Sequence, residues 1–352
     1  MADDTRSTGS QPGGAAVRWP QPVQPGQVIV ISDSFQTLPP AVIELEKSGH
    51  SITYVPALTA WTELGPQDRH ALSTADAVIM GRVMGIDAAA LELAPRLRII
   101  ALHTSGSDNV DIESATRRRV LVTNVKGVNA EQCAEFAMGL MLSVVRKIVI
   151  GDRAIRAGVW ASRTQSCMDL HGATLGVVGL GGIAKAFVAR ARAFGMHILV
   201  HTRTPDLQFG RDHGIEYTSL DALLQRSDIV SLFAALNESS RRMIGARQIE
   251  LMKPTAYLIN IARGELVDEA ALLHALRAGR IAGAGLDVFE NEPVTVSPLF
   301  ALENVVLTPH QAGLTVGGKT GAAVRAARNA LQALAAVIPR DAVNPAAWES
   351  ST

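Results

Sequence analysis

The chain of 352 residues has only two cysteines, no formal net charge and no apolar run long enough to cross a bilayer. Cys133 and Cys167 make neither a disulfide framework nor a metal-ligand spacing. They fit a reducing, cytoplasmic setting as two small buried hydrophobes. A net charge of zero gives no electrostatic case for nucleic acid or an anionic membrane. The missing apolar run excludes a transmembrane helix. Residues 1–26 are rich in Pro, Gly, Gln and Ser and lack the apolar core of a signal peptide, so a disordered leader is expected. Glu349–Thr352 is expected to fray.

What is present suits two domains of ordinary size, with 47% hydrophobic residues to fill their cores. Gln27–Ile31, Ser51–Val55, Ala75–Met80, Leu97–Leu102 and Val120–Thr123 are predicted strands. Helical segments such as Ala41–Lys47 separate them, which implies a parallel α/β sheet. From Gly127 to Trp160 the pattern is helical, with Ala134, Phe136, Ala137, Leu140, Met141, Val144 and Val145 on one stripe. A second alternating region follows. Its predicted strands are Thr174–Val178, Ile198–His201, Asp228–Phe233, Ala256–Ile261, Ala282–Val288 and Val305–Thr308, with a helix over Asp268–Arg280. The chain turns helical again from about Thr320 to Val337. That last helix could return to the first region, leaving the second inserted within it. The expected division is 27–126 plus 314–352 around 127–313, with ligands bound in a cleft at the carboxyl ends of the strands.

The second region opens on Thr174-Leu-Gly-Val-Val-Gly-Leu-Gly-Gly-Ile-Ala184. This is the strand–turn–helix start of a dinucleotide-binding βαβ unit. Gly179 allows the tight turn, and Gly181 lets backbone approach a pyrophosphate. Ala184 keeps the helix close to the strand. Ile183, Phe187, Val188, Ala191 and Phe194 share one helical face, and Gly195 caps its end. The helix N-terminus offers free N–H groups to phosphate. About twenty residues on, where an acidic side chain would hold the ribose of NAD, the chain reads Val200-His-Thr-Arg-Thr-Pro205. Arg203, with Thr202 and Thr204, suits a 2′-phosphate instead, so NADP is expected over NAD.

Three further stretches place ionisable residues just past predicted strands: Asn260–Glu269, Leu286–Pro293 and Leu307–Gly313. They carry Arg263, Glu292 and His310. Hydride transfer to a 2-keto acid needs such a set. An arginine pairs with the carboxylate and polarises the carbonyl. An imidazolium protonates the developing alkoxide. A carboxylate beside the imidazole favours its charged form.

With these stretches, and with Asp108-Asn109-Val-Asp111, Thr123-Asn124 and Ala134-Glu135-Phe136, the chain closely resembles the D-isomer-specific 2-hydroxyacid dehydrogenases from about Leu97 to Gly313. The resemblance implies a Rossmann-type, doubly wound NAD(P)-binding domain inserted into a flavodoxin-like substrate-binding domain. It implies Arg263 for substrate binding, Glu292 for tuning and His310 as general acid–base. Around the cofactor it implies Gly179, Gly181, Gly182, Ile183, Thr202, Arg203, Thr204, Ala234, Ala235, Ile261 and Ala262. Asp287, His310, Ala312 and Gly313 complete that set, with Asp287 holding the nicotinamide carboxamide. Thr104, Ser105 and Gly106, in the loop Thr104–Ser107, would bind the substrate carboxylate, beside His103. A homodimer joined through the cofactor lobes is implied, and no metal. Thr104 stands where glycine is common and Lys126 where proline is common. Phe233-Ala-Ala235 lacks the usual proline. Oxidation of another small anion is a second enzymatic possibility, but relatives that oxidise formate carry Gln where this chain has Glu292. A dinucleotide-sensing corepressor is the non-enzymatic alternative.

Overall fold

The structure is a computed structural model that describes residues 21–57, 61–81, 85–160 and 166–349. Most of the expected leader, and residues 350–352, lie outside that range. Two compact units divide the chain: Gly127–Gly321, and the chain up to Lys126 together with the chain from Ala322 on. The second division thus falls beyond Gly313, inside the last helix, Val316–Leu334.

In the unit containing the chain's beginning, five strands form one parallel sheet. They are β1 (Gln27–Ile31), β2 (Ser51–Val55), β3 (Ala77–Met80), β4 (Ile99–Leu102) and β5 (Leu121–Thr123), ordered β2-β1-β3-β4-β5. The inner strands are continuous apolar runs because both faces are covered. Ile29, Met80, Ile100 and Val122 face one core, and Val28, Ile79, Ile99 and Leu121 the other. Ala323, Ala326, Ala327 and Ala330 cover the second core, and their small side chains let the last helix lie close. Residues 21–26 correct the disordered-leader expectation. Val23 N–H donates to the Leu334 carbonyl at 2.9 Å. Arg98 donates to the Gln21 carbonyl at 2.9 Å, and Gly26 N–H to His50 Nδ1 at 2.9 Å. Polar composition could not reveal these main-chain ties.

The other unit has seven parallel strands. They are β6 (Thr174–Val178), β7 (His197–His201), β8 (Ile215–Tyr217), β9 (Ile229–Leu232), β10 (Tyr257–Asn260), β11 (Gly283–Leu286) and β12 (Val305–Leu307). Their order is β12-β11-β10-β9-β6-β7-β8. Sequence order reverses at β6, which pairs with β7 on one side and β9 on the other. In open α/β sheets ligands bind at such a switch, past the strands' carboxyl ends.

The predicted helix across 127–160 is two helices, Ala130–Val145 and Ile148–Arg156. Lys147 between them sits in the left-handed region at φ 53°. The first helix buries Ala134, Ala137, Leu140 and Met141, whereas the second buries nothing. β8 was not expected; it is a three-residue edge strand with no buried residue and so no apolar signal. Ala282–Val288 overran β11 because Asp287 and Val288 stay buried after the ladder ends. The last helix begins at Val316, ahead of the expected Thr320. Among the described residues no helix is long and apolar enough to cross a membrane.

Candidate active site

The glycine turn leaves β6 at the switch. Gly179 has φ +89°, and a β-carbon there would stand 2.7 Å from the Ala234 nitrogen, so only glycine fits between the β6 and β9 loops. Its N–H donates to the His201 carbonyl at 2.8 Å. At Gly181 a β-carbon would meet nothing within 4 Å. Gly181 caps the helix Gly182–Ala193 without any side-chain hydrogen bond, which leaves the first-turn N–H groups for an anion. Ala184 is fully buried against the sheet. These residues fit a dinucleotide pyrophosphate: a cradle without side chains, ending on an uncapped helix.

Thr202, Arg203 and Thr204 follow directly on β7. Arg203 is exposed and has no ion pair among the described residues. Ala234 and Ala235 follow β9, where the Ala235 carbonyl accepts from Ser240 Oγ at 2.7 Å.

Arg263, Glu292 and His310 stand after β10, β11 and β12, three neighbouring strands. Glu292 Oε2 lies 2.6 Å from His310 Nδ1, and Glu292 Oε1 accepts the Phe289 N–H at 3.0 Å. Both side chains of the pair keep part of their surface exposed. His310 adopts φ 49°, a left-handed turn rather than a helix start.

Arg263 is partly buried at the end of a turn fixed by Asn260. The Asn260 amide donates to the Arg263 carbonyl at 2.8 Å, and its oxygen accepts the Ala262 N–H at 3.0 Å. Asn260 itself is buried, a role that the sequence argument passed over. Ile261 is buried and Ala262 half-buried behind it. Gly264 presses this turn onto the Phe289–Glu290 backbone.

Asp287 is fully buried. Its Oδ1 accepts from Thr308 Oγ1 at 2.6 Å and Gln311 N–H at 2.9 Å, and its Oδ2 from Ala312 N–H at 2.9 Å. Its carbonyl accepts the His310 N–H at 2.8 Å. Burial raises its pKa above the ordinary value, against the pull of these bonds. Burial, with the Asp287 charge nearby, also pushes the Cys133 thiol up to about 11. Gly313 lies against the Asn129 amide, too close for a β-carbon.

The loop Thr104–Ser107 belongs to the other unit and follows β4. Val125 N–H donates to the Thr104 carbonyl at 3.0 Å and Asn124 to the Ser105 carbonyl at 3.1 Å. Thr104 Oγ1 closes the loop onto the Gly106 carbonyl at 2.9 Å. His103 packs against Gly81 and Phe35; its Nε2 is buried without a hydrogen bond, and burial lowers its pKa. The described residues contain no cluster suited to a metal ion.

Residues 138–312 match the family profile of the D-isomer specific 2-hydroxyacid dehydrogenase NAD-binding domain. A glyoxylate reductase of Korarchaeum cryptofilum is 40% identical over 296 residues, 82% of this chain and 89% of that protein. One from Thermococcus onnurineus is 42% identical over 76% of this chain and 83% of its own. The NADPH-dependent glyoxylate/hydroxypyruvate reductase of Sinorhizobium meliloti, solved with NADP and malonate, superposes with a TM-score of 0.80. It is 28% identical and covers 94% of this chain and 100% of its own. The profile match spans the glycine turn, the three strand ends and the seven strands β6 to β12. The chain therefore belongs to the D-isomer-specific 2-hydroxyacid dehydrogenase family, oxidoreductases that interconvert 2-keto and 2-hydroxy acids with a nicotinamide dinucleotide.

Proposed function

We propose that this enzyme reduces small 2-keto acids of the glyoxylate and hydroxypyruvate type, and that it prefers NADPH. The observation that carries the proposal is the His310–Glu292 pair at 2.6 Å, on the two strand ends next in line to the Arg263 turn. When bound, the reduced cofactor supplies the hydride. Arg263 binds the carboxylate and polarises the keto oxygen with its planar fork of donors. His310 gives its proton to the oxygen that becomes the hydroxyl. Glu292 fixes the ring through Nδ1, which leaves Nε2 to carry that proton. Asp287 holds the His310 loop in place.

Support for NADPH comes from Arg203, exposed without an ion pair among the described residues, at a strand end that lacks a carboxylate. The Sinorhizobium relative is named as NADPH-dependent. We also infer a homodimer formed through this unit. The helix Ile148–Arg156 buries none of its residues. It borders a groove of about 460 Å³ lined by Phe136, Leu140, Val149, Leu299 and Phe300. Its Ile148 and Ile155 are more than half exposed. Cys133 is buried and Cys167, against the expectation of two buried thiols, is exposed; neither forms a disulfide, which suits a cytoplasmic location.

Steady-state kinetics on a panel of keto acids with both cofactors tests the proposal. The expected result is the highest kcat/KM for glyoxylate or hydroxypyruvate with NADPH. Turnover confined to bulky keto acids overturns the substrate class, and a clear NADH preference overturns the cofactor choice.

A further inference from the structure

One charge pair beside the cofactor cradle has no part in the chemistry above. Lys185 lies in the first turn of the helix Gly182–Ala193, its N–H bonded to the Gly181 carbonyl at 3.0 Å. Its Nζ lies 2.5 Å from Asp206 Oδ2. Asp206 is the first carboxylate after β7, just past Thr202-Arg203-Thr204-Pro205. Its Oδ1 accepts the Phe209 N–H at 3.0 Å and starts the helix Leu207–His213. Its carbonyl accepts from the Tyr217 hydroxyl at 2.6 Å. The Lys185 ammonium also stands 5.2 Å from the centre of the Phe209 ring, which stacks on His213 at 3.9 Å.

The loop after β7 is thus tied to the first turn of the phosphate-facing helix by an ion pair. Without its cation, Asp206 would set a negative charge on the loop where a 2′-phosphate is expected, and would be free to accept from a ribose hydroxyl. Both effects favour the unphosphorylated nucleotide. We propose that Lys185 is a specificity-determining residue, neutralising Asp206 so that the Thr202–Thr204 loop accepts a 2′-phosphate. This rests on the 2′-phosphate lying at that loop, as argued for NADPH above.

The pair is open to solvent, with side-chain accessibilities of 37% and 38%, so its strength is that of an exposed ion pair. The test is calorimetric titration of the full-length protein with 2′,5′-ADP and with 5′-AMP, which differ only in the 2′-phosphate. In Lys185→Met the affinity for 2′,5′-ADP is expected to fall roughly fivefold, the scale of one exposed ion pair. That for 5′-AMP should not move. Lys185→Arg should keep the parental ratio. Adding Asp206→Asn to Lys185→Met should restore it to within about twofold. Equal loss for both nucleotides makes the pair a structural strap and overturns the proposal, as does an unrestored double variant or no change at all. If the parent binds 2′,5′-ADP no better than 5′-AMP, the NADPH preference itself fails. The shift among variants is a separate measurement.

Discussion

Gly264 and Phe289 touch so closely that no other residue fits between them. A β-carbon on Gly264 would stand 1.8 Å from the Phe289 carbonyl carbon and 2.4 Å from the Glu290 nitrogen. Both are backbone atoms, so no side chain can swing aside. The contact binds the turn that carries Arg263 to the loop that carries Glu292. Arg242 and Glu269 also hold that loop, Arg242 through Glu290 Oε1 at 2.6 Å and Glu269 by accepting the Glu290 N–H at 3.2 Å.

Gly264→Ala is accordingly expected to push the two loops apart. Overpacking against rigid backbone costs about 3 kcal/mol. Displacing Arg263 by about 1 Å should lower kcat/KM roughly 100-fold. Thermal unfolding and steady-state kinetics check both effects. An alanine variant with parental kinetics would show that the loop contact does not set the geometry.

The roles of Arg263 and His310 separate in the kinetics. His310→Ala should lower kcat by about 10²- to 10⁴-fold with little change in KM, because it removes the proton donor. Arg263→Ala should also raise KM, roughly 10- to 100-fold, since bonds to a charged group are worth about 1.5–3 kcal/mol. Arg263→Lys should recover little of this, because an ammonium cannot present a planar fork. Ordinary turnover in His310→Ala would remove the histidine from the mechanism.

Part of this was legible in the residues alone. The glycine turn depends on neighbours in sequence, so Gly179, Gly181 and Ala184 announce it locally. Arg263 and His310 each follow a short apolar run, so their place at strand ends was visible. Contacts between distant loops were not. Nothing in Asn260-Ile-Ala-Arg-Gly marks Gly264 as a contact of Phe289, or Asn260 as the brace of the arginine turn. Lys185 and Asp206 meet only because β7 lies beside β6. β8 stayed hidden because a half-exposed edge strand carries no apolar alternation.

Asp287 has a second role that the sequence alone did not show. The resemblance implies a contact with the nicotinamide carboxamide, and its two oxygens also accept three bonds from residues 308–312. Asp287→Ala would leave the Thr308, Gln311 and Ala312 donors unmatched, at about 1–3 kcal/mol each. The expected outcome is a lower Tm together with a lower kcat, as His310 loses its left-handed turn. A variant with parental Tm would show that these bonds do not hold the loop, leaving any weakened cofactor Kd to the carboxamide contact alone.

Acid should loosen the start of the described chain. His50 Nδ1 accepts the Gly26 N–H, which requires an unprotonated nitrogen. Burial lowers the histidine below its ordinary 6.5, and the nearby Asp76 carboxylate only partly opposes this. A folded-state value below the unfolded one means the folded protein resists protonation. The stabilisation is therefore complete above the ordinary value and is lost as pH falls through the lowered one. Asp76 accepts the Gln27 N–H at 2.9 Å and pairs with Arg96 at 3.3 Å, so it holds the same end of the strands. His50→Gln keeps an acceptor that does not titrate. Between about pH 7.5 and pH 5 the parent should lose more Tm than His50→Gln does. Parallel Tm curves for the two proteins would show that the histidine does not govern this end of the strands.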